Sequence, residues 1–159
     1  MDFRDDERER GITMKSSGFS CINIKKPENE PCLLNFIDSP GHVDFLHEIE
    51  VASDLADYAL IVIDISEGVR TQSREVIKQC ALKSLKMILV LNKIDRILDI
   101  ENDHPDCAEI YHKIKNCIED VNAIVYAHSL NASMSHEAYF DPLKFNVIFA
   151  SVKHKWAFE

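Results

Sequence analysis

Residues 58–92 read YALIVIDISEGVRTQSREVIKQCALKSLKMILVLN. The runs at 58–65 and 86–92 are apolar and of strand length. Between them Glu67-Gly68 marks a turn. Val76, Ile77, Cys80 and Ala81 then fall on one face of a helix over 72–84. Strand, helix, strand in that order predicts an α/β unit with parallel strands.

The same alternation continues on both sides. Upstream, residues 19–25 alternate apolar and polar side chains, as a half-exposed edge strand does. Lys26 to Pro31 carries a turn signature. Residues 32–38 form an apolar run ending in Asp38, which reads as a buried strand. Residues 44–56 place Leu46, Ile49, Ala52 and Leu55 at helical spacing. Downstream, residues 106–127 repeat Tyr111, Ile114, Ile118, Val121 and Val125, a long amphipathic helix. Residues 131–143 are polar and irregular, and 146–151 (NVIFAS) are a last short apolar run. Such a chain predicts a mostly parallel sheet with helices on both faces.

Composition bounds the function. Apolar residues make up 46% of the 159 and charged residues 28%, which reads as globular rather than disordered. Eighteen Lys and Arg face 27 Asp and Glu, a net charge of −9. An acidic domain is a poor general binder of phosphate backbones. No stretch reaches 18 consecutive apolar residues, so no transmembrane helix is expected. Residues 1–13 are too polar for a signal peptide. The five cysteines are odd in number and contain no C-x-x-C, so reduced thiols in a cytoplasmic setting are the simplest reading. Asn131-Ala132-Ser133 fits a glycosylation sequon but comes without a secretory signal. His104, His112, His128, His136 and His154 show no metal-ligand spacing. Asp2, Asp5, Asp6, Glu7 and Glu9 read as a solvated charge run, and Arg70 and Arg74 as solvated.

In open parallel sheets the chemistry gathers at the carboxyl ends of the strands. Asp38 ends one run, Asn92 to Asp95 another, and Ser151 a third. Asp38-Ser39-Pro40-Gly41-His42 hands an acid to a tight turn. That acid suits a hard cation such as Mg²⁺. Gly41 would let a backbone N–H approach an anion, and His42 could orient an attacking water. The segment also reads as a plain turn with a helix cap. In Asn92-Lys93-Ile94-Asp95 the acid could accept both N–H donors of the guanine edge. Asn92 could hold the loop and the purine, and the Lys93 stem could lie over the base. A polar loop between strand and helix is the alternative. Thr13, after Arg10-Gly11-Ile12, could ligate Mg²⁺ from a mobile loop, or simply begin an edge strand. Ser151 alone fits a cap or turn.

Taken together, DERERGITMKSS (6–17), DSPGHVDFLHEI (38–49), NKIDR (92–96) and NVIFASVKHKWAF (146–158) resemble the GTP-binding domain of translational GTPases of the elongation factor 2 class. The resemblance runs over nearly the whole chain. RGITMKSS (10–17) and LNKIDR (91–96) look most like the elongation-factor-like branch that works in cytoplasmic maturation of the large ribosomal subunit. That branch acts with a maturation cofactor protein and releases an anti-association factor. Trp156-Ala157-Phe158 looks closer to elongation factor 2 itself, whose role is translocation.

The resemblance implies a P-loop-NTPase-like G domain that binds GTP or GDP with Mg²⁺. Thr13 and Asp38 would serve the metal and Gly41 the γ-phosphate. His42 would position the hydrolytic water. Asn92, Lys93 and Asp95 would read guanine, and the N–H after Ser151 would meet guanine O6. Val152 stands where the family usually has Ala or Gly, and Lys155 where it often has Gly. Contact with the ribosome would come from regions outside these residues.

One motif is absent from these 159 residues. The only glycines are Gly11, Gly18, Gly41 and Gly68, and none precedes a Lys, so no G-x-x-x-x-G-K-S/T occurs. In the family that P-loop follows a first strand lying between the strands placed at 32–38 and 58–65. Residues 1–159 are therefore expected to be a partial G domain, lacking its first strand and P-loop. A fragment of a longer factor is the favoured account. A strand supplied by another chain, or a truncated relic unable to bind nucleotide, are the alternatives.

Overall fold

The computed structural model describes residues 5–10, 13–23, 31–98, 106–129 and 139–159. Most of the turn expected at 26–31 and of the irregular stretch at 131–143 lies outside them. So do the sequon at Asn131, the Gly11-Ile12 pair, Asp2, His104 and His136. The chain divides into two compact units, Met1–Ala56 and Asp57–Glu159.

In the first unit, α1 (Asp5–Arg10) precedes a two-stranded antiparallel sheet of β1 (Ser17–Asn23) and β2 (Cys32–Asp38). Ser17 lies opposite Asp38 and Asn23 opposite Cys32. Phe19 and Phe36 face each other across the ladder and stack at 4.8 Å between ring centroids. Ser20 Oγ donates to Asn35 Oδ1 beside them at 2.6 Å. The expectation of a buried strand over 32–38 needs correcting. Leu33 is 61% exposed, and Leu34 and Ile37 are exposed too. An apolar run sets strand propensity but does not say what will cover it. A 3-10 turn at Val43–Phe45 leads into α2 (Leu46–Leu55), which buries Ile49 and Ser53 and leaves Leu55 exposed.

The second unit holds β3 (Tyr58–Asp64), α3 (Thr71–Leu82), β4 (Lys86–Asn92), α4 (Ile94–Ile97), α5 (Cys107–His128), β5 (Val147–Ser151) and β6 (Trp156–Phe158). The sheet runs β3-β4-β5-β6, with the first three strands parallel and β6 antiparallel. The expected α/β order and mostly parallel sheet are present. Ile61, Leu89 and Val147 form one row across the sheet, and Ile63 and Leu91 sit in the next. These five are buried in one core with Ile77, Cys80 and Ala81 of α3 and Cys117, Val121 and Val125 of α5.

Helices α3 and α5 pack on the same face of this sheet. The alternate positions of β3, Tyr58, Leu60 and Val62, point the other way and are exposed. The run at 58–65 is thus buried on one side only, because side chains along a strand alternate between faces.

Helix α5 starts where Asp106 accepts the Ala108 N–H at 2.9 Å, an N-cap contact. Its buried Asn122 makes a two-way clasp with Phe140. The amide Nδ2 donates to the Phe140 carbonyl at 2.9 Å, and Oδ1 accepts the Phe140 N–H at 2.8 Å. That clasp sets the entry into β5. No cysteine is in a disulfide: Cys21, Cys32 and Cys107 are exposed, and Cys80 and Cys117 lie in the core. Burial pushes the Cys117 thiol up to about 11, so it packs as a small apolar group. Among the described residues no helix is long and apolar enough to cross a membrane.

Candidate functional site

Within the first unit, Asp38 closes β2 and is half-buried, as is Thr13. Ser17, the first residue of β1, lies opposite Asp38, and Thr13 comes four residues before that strand. Hydroxyl and carboxylate oxygens are hard donors, the kind Mg²⁺ takes. Among the described residues no three His, Cys, Asp or Glu gather as a metal cluster. Pro40 is buried and anchors the turn. Gly41 is exposed, and a Cβ there would meet nothing within 4 Å. Packing does not demand a glycine at 41; the open space around it leaves room for an incoming group.

His42 caps the 3-10 turn with its carbonyl, which accepts the Phe45 N–H at 3.0 Å. Its Nδ1 accepts the Asp44 N–H at 3.3 Å and lies 3.3 Å from Asp44 Oδ2. A neutral ring with Nδ1 accepting carries its proton on Nε2. The imidazole is then set to hold a water by donation. A protonated ring would instead pair with the Asp44 carboxylate.

In the second unit the three parallel strands deliver their carboxyl ends to one rim, where Asn92, Lys93, Asp95 and Ser151 meet; Asp38, also expected at a strand end of the parallel sheet, ends a strand of the antiparallel β1–β2 sheet instead. Asn92 is the knot. Its carbonyl accepts the Ile65 N–H at 3.0 Å, and its Oδ1 accepts the N–H of Lys93 at 2.7 Å and of Val152 at 3.3 Å. One side chain thus ties the ends of β4 and β5 together. Ser151, fully buried at the end of β5, donates its hydroxyl to Asp95 Oδ1 at 2.6 Å. The His154 N–H donates back to Ser151 Oγ at 3.3 Å. The Ser151 bond is the main reason the Asp95 carboxyl lies below the usual carboxylate range, against a smaller upward push from burial. An ionised carboxylate has about four lone-pair sites, so one bond from Ser151 orients it and leaves capacity for donors on a ligand. The Val152 N–H, expected to meet guanine O6, already has an acceptor in Asn92 and would share it.

Lys93 sits at φ 62, ψ 34, a left-handed backbone. For a residue with a Cβ that costs roughly 1–2 kcal/mol, so the surrounding contacts hold it there. Its Nζ donates to Asp64 Oδ2 at 2.7 Å. Asp64 and Ser66 were not among the residues singled out from the sequence. Asp64 ends β3 opposite Asn92, and its Oδ1 accepts from both the backbone N–H of Ser66, at 2.9 Å, and the Ser66 hydroxyl. Arg96 lies 3.5 Å from Oδ2. Burial pushes the Asp64 carboxyl up, but Lys93 and the two Ser66 donors outweigh it and hold it at about 2. The signal that could have found Asp64 was its place: an acid at the carboxyl end of a parallel strand.

The description Elongation factor Tu GTP binding domain matches residues 1–159. Ribosome assembly protein 1 of Schizosaccharomyces pombe is 40% identical over 174 residues, covering 99% of this chain and 17% of that protein. Ribosome assembly protein 1 of Saccharomyces cerevisiae is 36% identical over 188 residues, with 99% and 17% covered. Elongation factor-like GTPase 1 of Homo sapiens is 34% identical over 191 residues, again with 99% and 17% covered. The chain spans 17% of the length of these curated relatives.

Proposed function

The chain belongs to the elongation factor Tu GTP-binding domain family, and on that premise we propose that it is the guanine-nucleotide-binding part of a GTPase working in ribosome assembly. The observation that carries the reading is the Ser151–Asp95 hydrogen bond at 2.6 Å. It aims a carboxylate out of the rim where β4 and β5 end. Guanine offers a pair of N–H donors on one edge, and adenine does not. An oriented, ionised carboxylate therefore selects guanine.

In this reading Asn92 holds the loop, Asp95 reads the base edge, and the Lys93 stem covers the purine. The turn that follows β5, from Ser151 to Val152, would lie beside the base. Thr13 and Asp38 would hold Mg²⁺, which offsets phosphate charge when bound. Gly41 would approach the γ-phosphate through its backbone, and His42 would orient the water for GTP hydrolysis. Residues 1–159 would form part of a G domain. The names of the relatives favour ribosome assembly over elongation. Partners on the large ribosomal subunit would be met through segments beyond these residues, in the cytoplasm.

The test is a fluorescent GDP analogue offered with Mg²⁺ to the protein in its full natural length, with GDP and ADP as competitors. GDP should displace the probe and ADP should fail to at a hundredfold excess, on the order of what a missing donor pair costs. Equal displacement by both would remove the guanine reading.

A further inference from the structure

We propose that Asp64 is a positioning residue for guanine recognition, holding Lys93 by its ammonium so that the Lys93 stem is a fixed apolar face beside Asp95. The proposal rests on the guanine reading above. The geometry is that of a clamp with both ends tied. At one end the Lys93 backbone is pinned, its N–H bonded to Asn92 Oδ1 at 2.7 Å and its dihedrals in the left-handed region. At the other end the ammonium meets Asp64 Oδ2 at 2.7 Å. The stem must run between these two points.

Asp64 is itself a rigid post. Its Oδ1 is taken by two donors of Ser66, which fixes the carboxylate plane and turns Oδ2 toward Lys93. The strand register sets the distance: Asp64 pairs with Asn92, the residue just before Lys93. The Asp64 side chain is 13% exposed, whereas Lys93 is 43% exposed. The acid is buried enough to need its partner, while the lysine stem stays open to a ligand. A surface lysine ordinarily samples many rotamers, and ordering it on binding lowers affinity. Tying its ammonium beforehand removes that loss. Arg96 lies 3.5 Å from the same oxygen and is more exposed, so it supports the charge without setting the stem.

A double-mutant cycle in the full natural-length protein tests this. Fluorescent GDP binding is measured for wild type, Asp64→Asn, Lys93→Met and the double variant. Asp64→Asn should weaken binding about 2- to 10-fold. In the Lys93→Met background, which keeps an apolar stem but has no ammonium, it should change binding by less than about twofold. An equal loss in both backgrounds would mean that Asp64 acts on structure generally, and would overturn the proposal. A second readout needs neither variant nor nucleotide. A tethered Lys93 ammonium gives an observable proton–nitrogen correlation in the cold, whereas a solvated one exchanges away. Its absence in wild type would also overturn the clamp. If the ammonium signal is present but no guanine nucleotide binds, the guanine reading fails while the tether stands.

Discussion

Ser151 and Asp95 are 56 residues apart in sequence and 2.6 Å apart in the fold. The sequence supplied both, one at the end of an apolar run and one in an Asn-Lys-x-Asp motif, but not the bond between them. A serine at a strand end has many uses, and only the parallel register makes this one a carboxylate orienter. Asp64 was missed for the opposite reason. It is embedded in YALIVIDI, where apolar neighbours dominate the pattern, and its partner Lys93 is 29 positions away. Two outcomes belong at this scale. Asp64 titrates at about 2, below its unfolded value. A depressed acid adds stability above the unfolded pKa and loses it as pH falls through the folded one. The stability difference between wild type and Asp64→Asn, read from denaturant titration at each pH, should be full above pH ~4 and close toward pH ~2, with a plateau on the order of 1 kcal/mol once screening by solvent is counted. A gap that widens with acid would contradict the pairing. For His42→Ala, GTP hydrolysis should fall by about 10²- to 10⁴-fold with GDP binding unchanged. Loss of binding instead would place His42 in nucleotide contact.

At the scale of elements, most boundaries were readable. The strands at 32–38 and 86–92 are found with those bounds, and β3, β5 and α5 shift by one residue at one or both ends. Strand β6, only Trp156–Phe158, was not legible, since three residues carry no period. Burial was legible only in part: Leu33, Leu60 and Val62 had the right chemistry for a core and lie exposed. The loop before β6 explains one sequence departure. Lys155 has φ 57, the left-handed region that favours glycine, and it stands where the resembled family often has Gly. Lys155→Gly should therefore raise unfolding stability by about 1 kcal/mol in denaturant titration. No gain would mean that the loop relaxes at no cost. Asn122→Ala should lose about 2–3 kcal/mol, because the buried Phe140 N–H and carbonyl both lose their partner. A loss below half that value would mean that water replaces the clasp.

For the whole molecule, the two units differ in how their backbone is paired. Strand β4 has a partner on each side and a buried row of Met87, Leu89 and Leu91. The β1–β2 ladder has one partner per strand and exposed apolar side chains. Two-stranded sheets are marginal without further cover. In native-state hydrogen exchange, β4 amides should be the slowest and β1–β2 amides should exchange well before them. Equal protection would show that both units open together. The alternation of apolar runs and helical periods made the α/β class readable at this scale. What covers each face was not, because cover depends on segments far away in sequence.

The central claim is that the rim of the second unit reads guanine through Asp95. The measurement that tests it most directly is a competition between GDP and xanthosine diphosphate on wild type and Asp95→Asn, in the full natural-length protein. Xanthine presents an acceptor where guanine presents a donor, so an amide at 95 suits it and a carboxylate does not. Wild type should prefer GDP, and Asp95→Asn should prefer xanthosine diphosphate, each by about tenfold or more. A variant that loses GDP without gaining the xanthine nucleotide, and a wild type indifferent between them, would each contradict the account.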